Sequence, residues 1–541
     1  MPASARLAVL GFLIFSVAAR AAAQPQQTEI PKPLPKEIVA AWEKAGLIPG
    51  WCEETDTGTL RFHLATTPPE PGWQPVFSVN ILNPEKPEEF TSKLKGLPAP
   101  ETPFALFVSH DKLRDANLKE LARFKTITIL TLSKCELTGA GLKELTGLKH
   151  LTHLDLENNE LKDAGLKEVA RLTQLKTLNL EFTRLSDKGL KELAPLKQLT
   201  TLNLRVNQLK GMGLRELAKL PQLTTLDVSA NHIKDNELKE LAGLKQLTTL
   251  NLGENEFTGV GLKGLAPLKQ LTTLNLSRSR QLTDAGMKEI AALKQLTHLS
   301  LSENEHLTDV GLKGLAALTL LTDLDLKEVK VSDTGLKNLA GLKQLTRLDL
   351  EDTKIGDAGM KELAGLTKLT DLNLEDTKIG DAGLKELAAL TQLTRLSLGR
   401  TTVGDAGLKG IAGLAQLTHL DLTSTRVTDT GTKELAGLTK LTELNLYGTT
   451  MGDAGLKDLA PLKQLTHLSV GSGVTDAGLK GLTAFPQLKS LGLGGSRVTK
   501  DGLKNLAALK QLTFLGLSDT KVTQEEIAEL KKLLPNCKIS Q

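Results

Sequence analysis

The stretch LTHLDLENNEL, residues 151–161, alternates leucine with polar residues and then reaches Asn159 and Leu161. Strand alternation sends Leu151, Leu154 and Leu156 inward and His153, Asp155 and Glu157 outward. The same L-T-x-L-x-L segment begins again at Leu175, Leu199, Leu223, Leu247, Leu271, Leu296, Leu321 and Leu345. It continues at Leu369, Leu393, Leu417, Leu441, Leu465, Leu488 and Leu512. An earlier copy starts at Ile127, and 104–109 reads as a degenerate first strand. The period is 24 residues, with 25 twice and 23 once. The longer units carry one extra residue near Gln281 and His306, and the short one trims the loop at 471–473. Length changes confined to loops are what a stacked solenoid tolerates.

The second half of each unit, as in Asp381-Ala-Gly-Leu-Lys-Glu-Leu-Ala388, has helical spacing. Leu384, Leu387 and Leu390 share one face, and Asp381 suits an N-cap. One unit cannot bury its leucines alone, so neighbours must stack. Strands stack at about 4.8 Å whereas helices need about 8–10 Å, which predicts an arc with strands inside and helices outside. The position of Asn159 recurs at Asn207, Asn231, Asn255 and Asn304, becomes Thr377 in later units and is Cys135 in the first clear one. Asparagine there can bond backbone groups where the chain leaves the strand, and threonine can satisfy fewer.

These residues carry a resemblance. Leu151, Leu154, Leu156, Asn159 and Leu161 match L-x-x-L-x-L-x-x-N-x-L, the leucine-rich repeat pattern. Seventeen clear copies extend it over about 430 of 541 residues. The DAGLKEL half is similar to helical, ribonuclease-inhibitor-like and GALA-type repeats, and to secreted bacterial DAGLKEL-repeat proteins. The resemblance implies an α/β solenoid of about 18 copies over 104–534 that acts as a non-catalytic protein-binding scaffold without a cofactor. A short closing strand is expected in 535–541, as at the end of helical leucine-rich repeat proteins, after a last helix over 524–534.

Working outward, residues 1–23 read as a secretory signal, with Arg6, an apolar run over 7–19 and Ala21-Ala-Ala23 before Gln24. The run is short of the roughly 20 residues that span a bilayer. A secreted or periplasmic chain is therefore expected. Fourteen of 21 prolines and all three tryptophans lie in 24–103. That region reads as a cap with its own small core, a helix over 36–45 and strands over 59–65 and 75–82. Elsewhere aromatics are scarce, 3% in all, as many small leucine-filled layers require. Three distant cysteines form neither a disulfide framework nor a zinc motif. A net charge of +4 offers no case for nucleic acid.

Catalytic motifs are missing. Gly259, Gly261 and Gly264 satisfy G-x-G-x-x-G after a strand, yet each stands at a repeat position, and no βαβ context follows. The lysines at Lys143, Lys167, Lys191 and onward to Lys504 alternate with glutamates and read as a solvated helix face.

The outward strand positions are more informative. The third position is Thr177, Thr201, Thr225, Thr249 and Thr273, then His298, Asp323, Arg347, Asp371, Arg395, His419, Glu443 and His467. Neighbouring strands would set these in a column of largely alternating charge, either an ion-pair ladder or part of a binding surface. His419, Glu443 and His467 have residue types that suit zinc, but parallel strands do not make them converge. Beside the column lie Asp325, Glu328, Asp349, Glu351, Asp352, Glu375 and Asp376, interrupted by Lys327, with Tyr447, the single tyrosine, further along. Asp325, Arg347, Asp349, Glu351, Asp371, Glu375, Arg395, His419, Glu443, Tyr447 and His467 are the candidate contacts for a protein partner, a basic one fitting best. A carbohydrate surface is the alternative, with Tyr447, Phe514 and Phe182 as its available aromatics. An enzyme sited in 24–103 would be a third, but His63 lacks a convergent acid, base and nucleophile. Units 345–368 and 369–392 agree at 19 of 24 positions, as recent duplication would leave them.

Overall fold

The x-L-x tripeptide at the centre of each strand segment is where the parallel ladder forms, because its leucine is buried and both flanking residues face out. The computed structural model describes residues 30–55, 60–67, 69–79, 94–109 and 113–541. The signal read over 1–23 lies outside them. Two compact units, 1–231 and 232–541, make up the chain.

In the first unit the strands His153–Asp155, Thr177–Asn179, Thr201–Asn203 and Thr225–Asp227 pair in parallel, leucine opposite leucine. In the second, the same pairing runs from Thr249–Asn251 to Lys538–Ser540, with Leu515 opposite Ile539 at its end. The period is thus one strand per 23–25 residues, and every copy contributes one more layer of buried leucine.

Three residues past many of the strands the backbone turns into the left-handed region at ordinary side chains, among them Phe182 (φ 53°), Val206 (φ 51°), Glu328 (φ 57°) and Asp352 (φ 50°). That conformation costs roughly 1–2 kcal/mol for a residue with a Cβ. The turn keeps a bond between neighbours: the Asp352 N–H donates to the Glu375 carbonyl at 2.9 Å. One position further in, asparagine works as read. Asn159 Oδ1 accepts the Leu137 N–H, and Nδ2 donates to the Leu132 and Leu156 carbonyls. Thr377 donates once, to the Leu374 carbonyl of its own repeat.

The helical half differs from expectation in two ways. Many copies form 3-10 rather than α-helix, for instance Leu190–Leu193 and Leu262–Leu265, beside α-helices such as Lys162–Val169 and Asp357–Leu363. So short a segment gains little from α-helical cooperativity, and 3-10 geometry reaches further per residue. Second, Asp381 is not the N-cap of its own helix. Gly380 holds that place, and Asp381 Oδ1 accepts the N–H of Gly404, the N-cap of the next copy. Asp357 likewise accepts from Gly380 and Gly383 at 2.7 and 2.9 Å. The glycine of each Asp-Ala-Gly leaves room for the previous aspartate, since a Cβ on Gly383 would stand 2.5 Å from Asp357 Oδ1. The recurrent motif is therefore a device for joining copies.

At the start of the first unit, α1 (Lys36–Lys44) leads into β1 (Leu47–Glu54), which is antiparallel to both β2 (Leu60–Leu64) and β3 (Gln74–Val79). β3 then pairs in parallel with β4 (Phe104–Ser109), and β4 with β5 (Ile127–Ser133). Strand β1 escaped the sequence reading because Pro49 and Gly50 interrupt it. Gly50 is required there, as a Cβ would meet the His63 carbonyl at 2.2 Å. Trp42 does not belong to a core confined to 24–103, whereas Trp73 stacks on His63 within that region. Trp42 stacks on Phe77 with centroids 4.4 Å apart and also meets Phe104 of β4 and Phe124. Large rings fill the space before the leucine layers begin. The three cysteines are buried and form no disulfide among the described residues. No helix among these residues is long and apolar enough to cross a membrane.

Candidate functional site

Every charged residue of the third-position column is set by one rule, strand register. His298 faces Asp323, which faces Arg347, then Asp371, Arg395, His419, Glu443 and His467 in unbroken succession. Register brings most of them within ion-pair reach. Arg347 Nε lies 3.5 Å from Asp323 and 3.9 Å from Asp371. Glu443 Oε1 lies 3.1 Å from His419 Nε2 and 3.9 Å from His467 Nδ1. Asp323 is the buried member: burial pushes its carboxyl up to about 6, although Arg347 opposes this.

The histidines share a feature missed in the sequence, the threonine before each of them. Thr152, Thr297, Thr418 and Thr466 hold the Nδ1 of His153, His298, His419 and His467 at 2.7–2.9 Å. Each hydroxyl donates to a carbonyl of the preceding copy, as Thr418 does to Thr394 at 3.0 Å. A hydroxyl whose proton goes to that carbonyl accepts from the ring, and at His419 the Arg395 donor 2.9 Å from Nε2 agrees with a proton on Nδ1, whereas Glu54 2.8 Å from His153 Nε2 calls for a proton there. The Thr-His dipeptide was the available signal.

The fifth position does a structural job. Asp325, Asp349 and Asn373 accept the backbone N–H two residues on, closing the strand exit. Asp325 also accepts from Ser300 Oγ, and Asp349 from Asn373 Nδ2. Burial raises Asp325 and takes Asp349 up to about 6, and the charges of Asp325 and Glu351 add to the effect on Asp349. These two are consequently weaker acidic contacts than their letters suggest. Lys327 does more than interrupt the patch. It lies 2.8 Å from Glu351 and 3.9 Å from Glu328. Arg400, outside the expected set, reaches both Glu375 and Asp376 at 3.4 Å. Tyr447 does not edge the acidic patch. Its ring extends the other way, to within 3.1 Å of where a Cβ on Gly494 would stand, over a bed that small residues leave open.

In the first unit the same fifth position holds Asp155, pushed up to about 7 by burial and then by Glu157 and Glu181. A folded pKa above the unfolded one gives stability that is full near pH 4 and lost as pH rises through 7. Asp155→Asn keeps the acceptor for the Glu157 N–H. It is expected to gain on the order of 1 kcal/mol at pH 8 in urea unfolding, the gain vanishing by about pH 4. A pH-independent difference would contradict the assignment.

The zinc-suited trio does not form a ligand set: Arg395 Nη2 lies 2.9 Å from His419 Nε2. No group of three or more potential ligands is placed for a metal ion among the described residues. The G-x-G-x-x-G glycines are packing positions. A Cβ on Gly261 would meet the Asp235 carbonyl at 2.2 Å, and one on Gly264 the Lys239 backbone N at 2.9 Å.

Comparison with known proteins follows the same lines. A family model described as a leucine-rich repeat region matches residues 108–359. A second, described as a leucine-rich repeat, matches 365–388, 389–412, 415–436 and 437–460. No curated protein matches the sequence. Among solved structures, an internalin from Listeria monocytogenes is 25% identical over 65% of this chain and 88% of its own, with a TM-score of 0.43. A leucine-rich repeat protein from Leptospira interrogans is 26% identical over 78% and 92%, TM-score 0.45. A TLR13–ssRNA13 complex is 18% identical over 83% and 78%, TM-score 0.51, a likeness of fold alone.

Proposed function

Because this chain belongs to the leucine-rich repeat proteins, we propose that it is a non-catalytic scaffold that binds a protein partner on the strand face of residues 232–541. One observation carries the reading. Thr249 and Thr273 sit at the third strand position in the same ladder as His298 to His467. Threonine satisfies the fold there, so eight successive charged or ionisable residues answer to something other than folding. Asp371, Glu443 and His467 keep a third to a half of their side chains exposed, which leaves them available to a partner. The surplus of carboxylates around Asp349, Glu351, Asp371 and Glu375 suits a basic surface. The expected setting is outside the cytoplasm.

The test is capture of binding proteins from the secreted or envelope fraction by the wild type and by a variant with Asp349, Glu351, Asp371 and Glu375 all changed to Lys. Four reversals should cut recovery of the captured protein at least tenfold, since like charges across an interface cost several kcal/mol. Equal recovery would overturn the acidic-face reading. A second reading, a carbohydrate surface, draws on Tyr447 and Phe514, which are 41% and 37% exposed. Binding of envelope polysaccharide that is abolished by Tyr447→Ala but untouched by the lysine variant would favour it.

A further inference from the structure

His419 stands between two groups that make opposite demands on one atom. Its Nδ1 is committed to Thr418 Oγ1 at 2.7 Å, whose own proton goes to the Thr394 carbonyl. Only Nε2 is left to change state. That nitrogen lies 2.9 Å from Arg395 Nη2 and 3.1 Å from Glu443 Oε1. A guanidinium can only donate and a carboxylate can only accept. Unprotonated, Nε2 spends its single lone pair on the Arg395 N–H and has no proton to offer Glu443. Protonated, it donates to Glu443 and repels Arg395. One ring position cannot satisfy both neighbours at once.

We propose that His419 is a proton-driven switch on the strand face, bonded to Arg395 when neutral and to Glu443 when protonated. In the second state the Arg395 guanidinium is released outward, Glu443 is neutralised and this stretch gains one positive charge. The surroundings set its direction. Asp371 lies beyond Arg395 on one side, Glu443 and then His467 on the other, and Asp421 is two residues along on the same strand. Burial, with Arg395 acting in the same sense, holds His419 below the ordinary histidine range, while Glu443 and Asp371 oppose it. The changeover therefore falls on the acidic side of an ordinary histidine's, and Asp323 and Asp349, each raised to about 6, also take up protons as the solution is acidified. The face thus becomes less attractive to a basic partner as pH falls. That consequence rests on the proposed function; the switch itself does not.

The experiment is a pH titration of the histidine ring nitrogens by NMR in the full chain labelled with nitrogen-15. Wild type is compared with Arg395→Met and Glu443→Gln, both changes at outward strand positions. Wild-type His419 should carry its proton on Nδ1 at pH 8. Arg395→Met should raise its midpoint, and Glu443→Gln should lower it, each by about threefold or more in proton affinity. The Arg395 side-chain signal should move with the wild-type midpoint. Equal midpoints in all three proteins, or a proton on Nε2 at pH 8, would overturn the switch. A lysine variant that captures as much partner as the wild type would instead end the proposed function and leave this titration untouched.

Discussion

Asn207→Leu is expected to destabilise the first unit by about 3–5 kcal/mol, read as a fall in the urea midpoint of that unit. Asn207 is 6% exposed and its side chain serves five backbone groups, the Arg205 carbonyl at 3.2 Å among them. Its Oδ1 accepts the Thr183 and Leu185 N–H groups at 3.2 and 2.8 Å, and Nδ2 donates to the Leu180 and Leu204 carbonyls at 2.9 and 3.0 Å. Leucine is close in size but offers no polar atom, so the groups are left dry and unpaired, at roughly 1 kcal/mol or more each. The groups it serves lie in two neighbouring repeats, those starting at Leu175 and Leu199, so the loss is shared across an interface between copies. Thr377→Val is the matched control. It removes a single bond, to Leu374, and should cost about 1 kcal/mol. Amide exchange should rise first within 175–231 in the Asn207 variant. A loss no greater than that of the threonine control would show that the asparagine column is not what joins the copies.

The period made nearly all of this legible in advance. A repeat is a sequence aligned with itself, so each residue type can be weighed against its own copies. Leucine positions, strand register and the asparagine column follow from that comparison. What it could not show was contact between copies. Asp381 looks like a cap for the helix it begins, and only the stacked backbone reveals that it serves Gly404. The region before the repeats has no copies to compare with, and there neither strand β1 nor the contact of Trp42 with Phe104 and Phe124 can be read from the sequence.

The site was legible at the level of columns and not of chemistry. Register alone predicted that Arg347 would lie between Asp323 and Asp371. Burial was invisible, because the letters D and E do not say which carboxylates are enclosed. Asp325 and Asp349 are partly spent on backbone N–H groups, whereas Glu351 and Glu375 reach outward to Lys327 and Arg400. Alternation places a side chain on a face; its length and the donor two residues on decide whether it remains available to a partner.

Gly286→Ala is expected to cost about 2–4 kcal/mol even though alanine normally favours a helix over glycine by about 1 kcal/mol. Gly286 lies in the helix Asp284–Ile290, and a Cβ there would stand 2.4 Å from the Thr258 carbonyl and 2.5 Å from Gly259 Cα. Both obstacles are backbone, so no side chain can swing aside. Gly259 answers from the other copy with φ +99° and with its own Cβ direction 2.8 Å from Gly286 Cα. Two glycines are thus needed face to face for these copies to close on each other. At Gly413 an added Cβ meets nothing within 4 Å, so Gly413→Ala should be neutral or stabilising by up to about 1 kcal/mol. Thermal or urea unfolding of the two variants gives opposite signs if packing is the reason for the Gly259–Gly286 pair. If Gly286→Ala were as harmless as Gly413→Ala, close approach would no longer explain Gly259, and its place in a G-x-G-x-x-G sequence would again need a ligand.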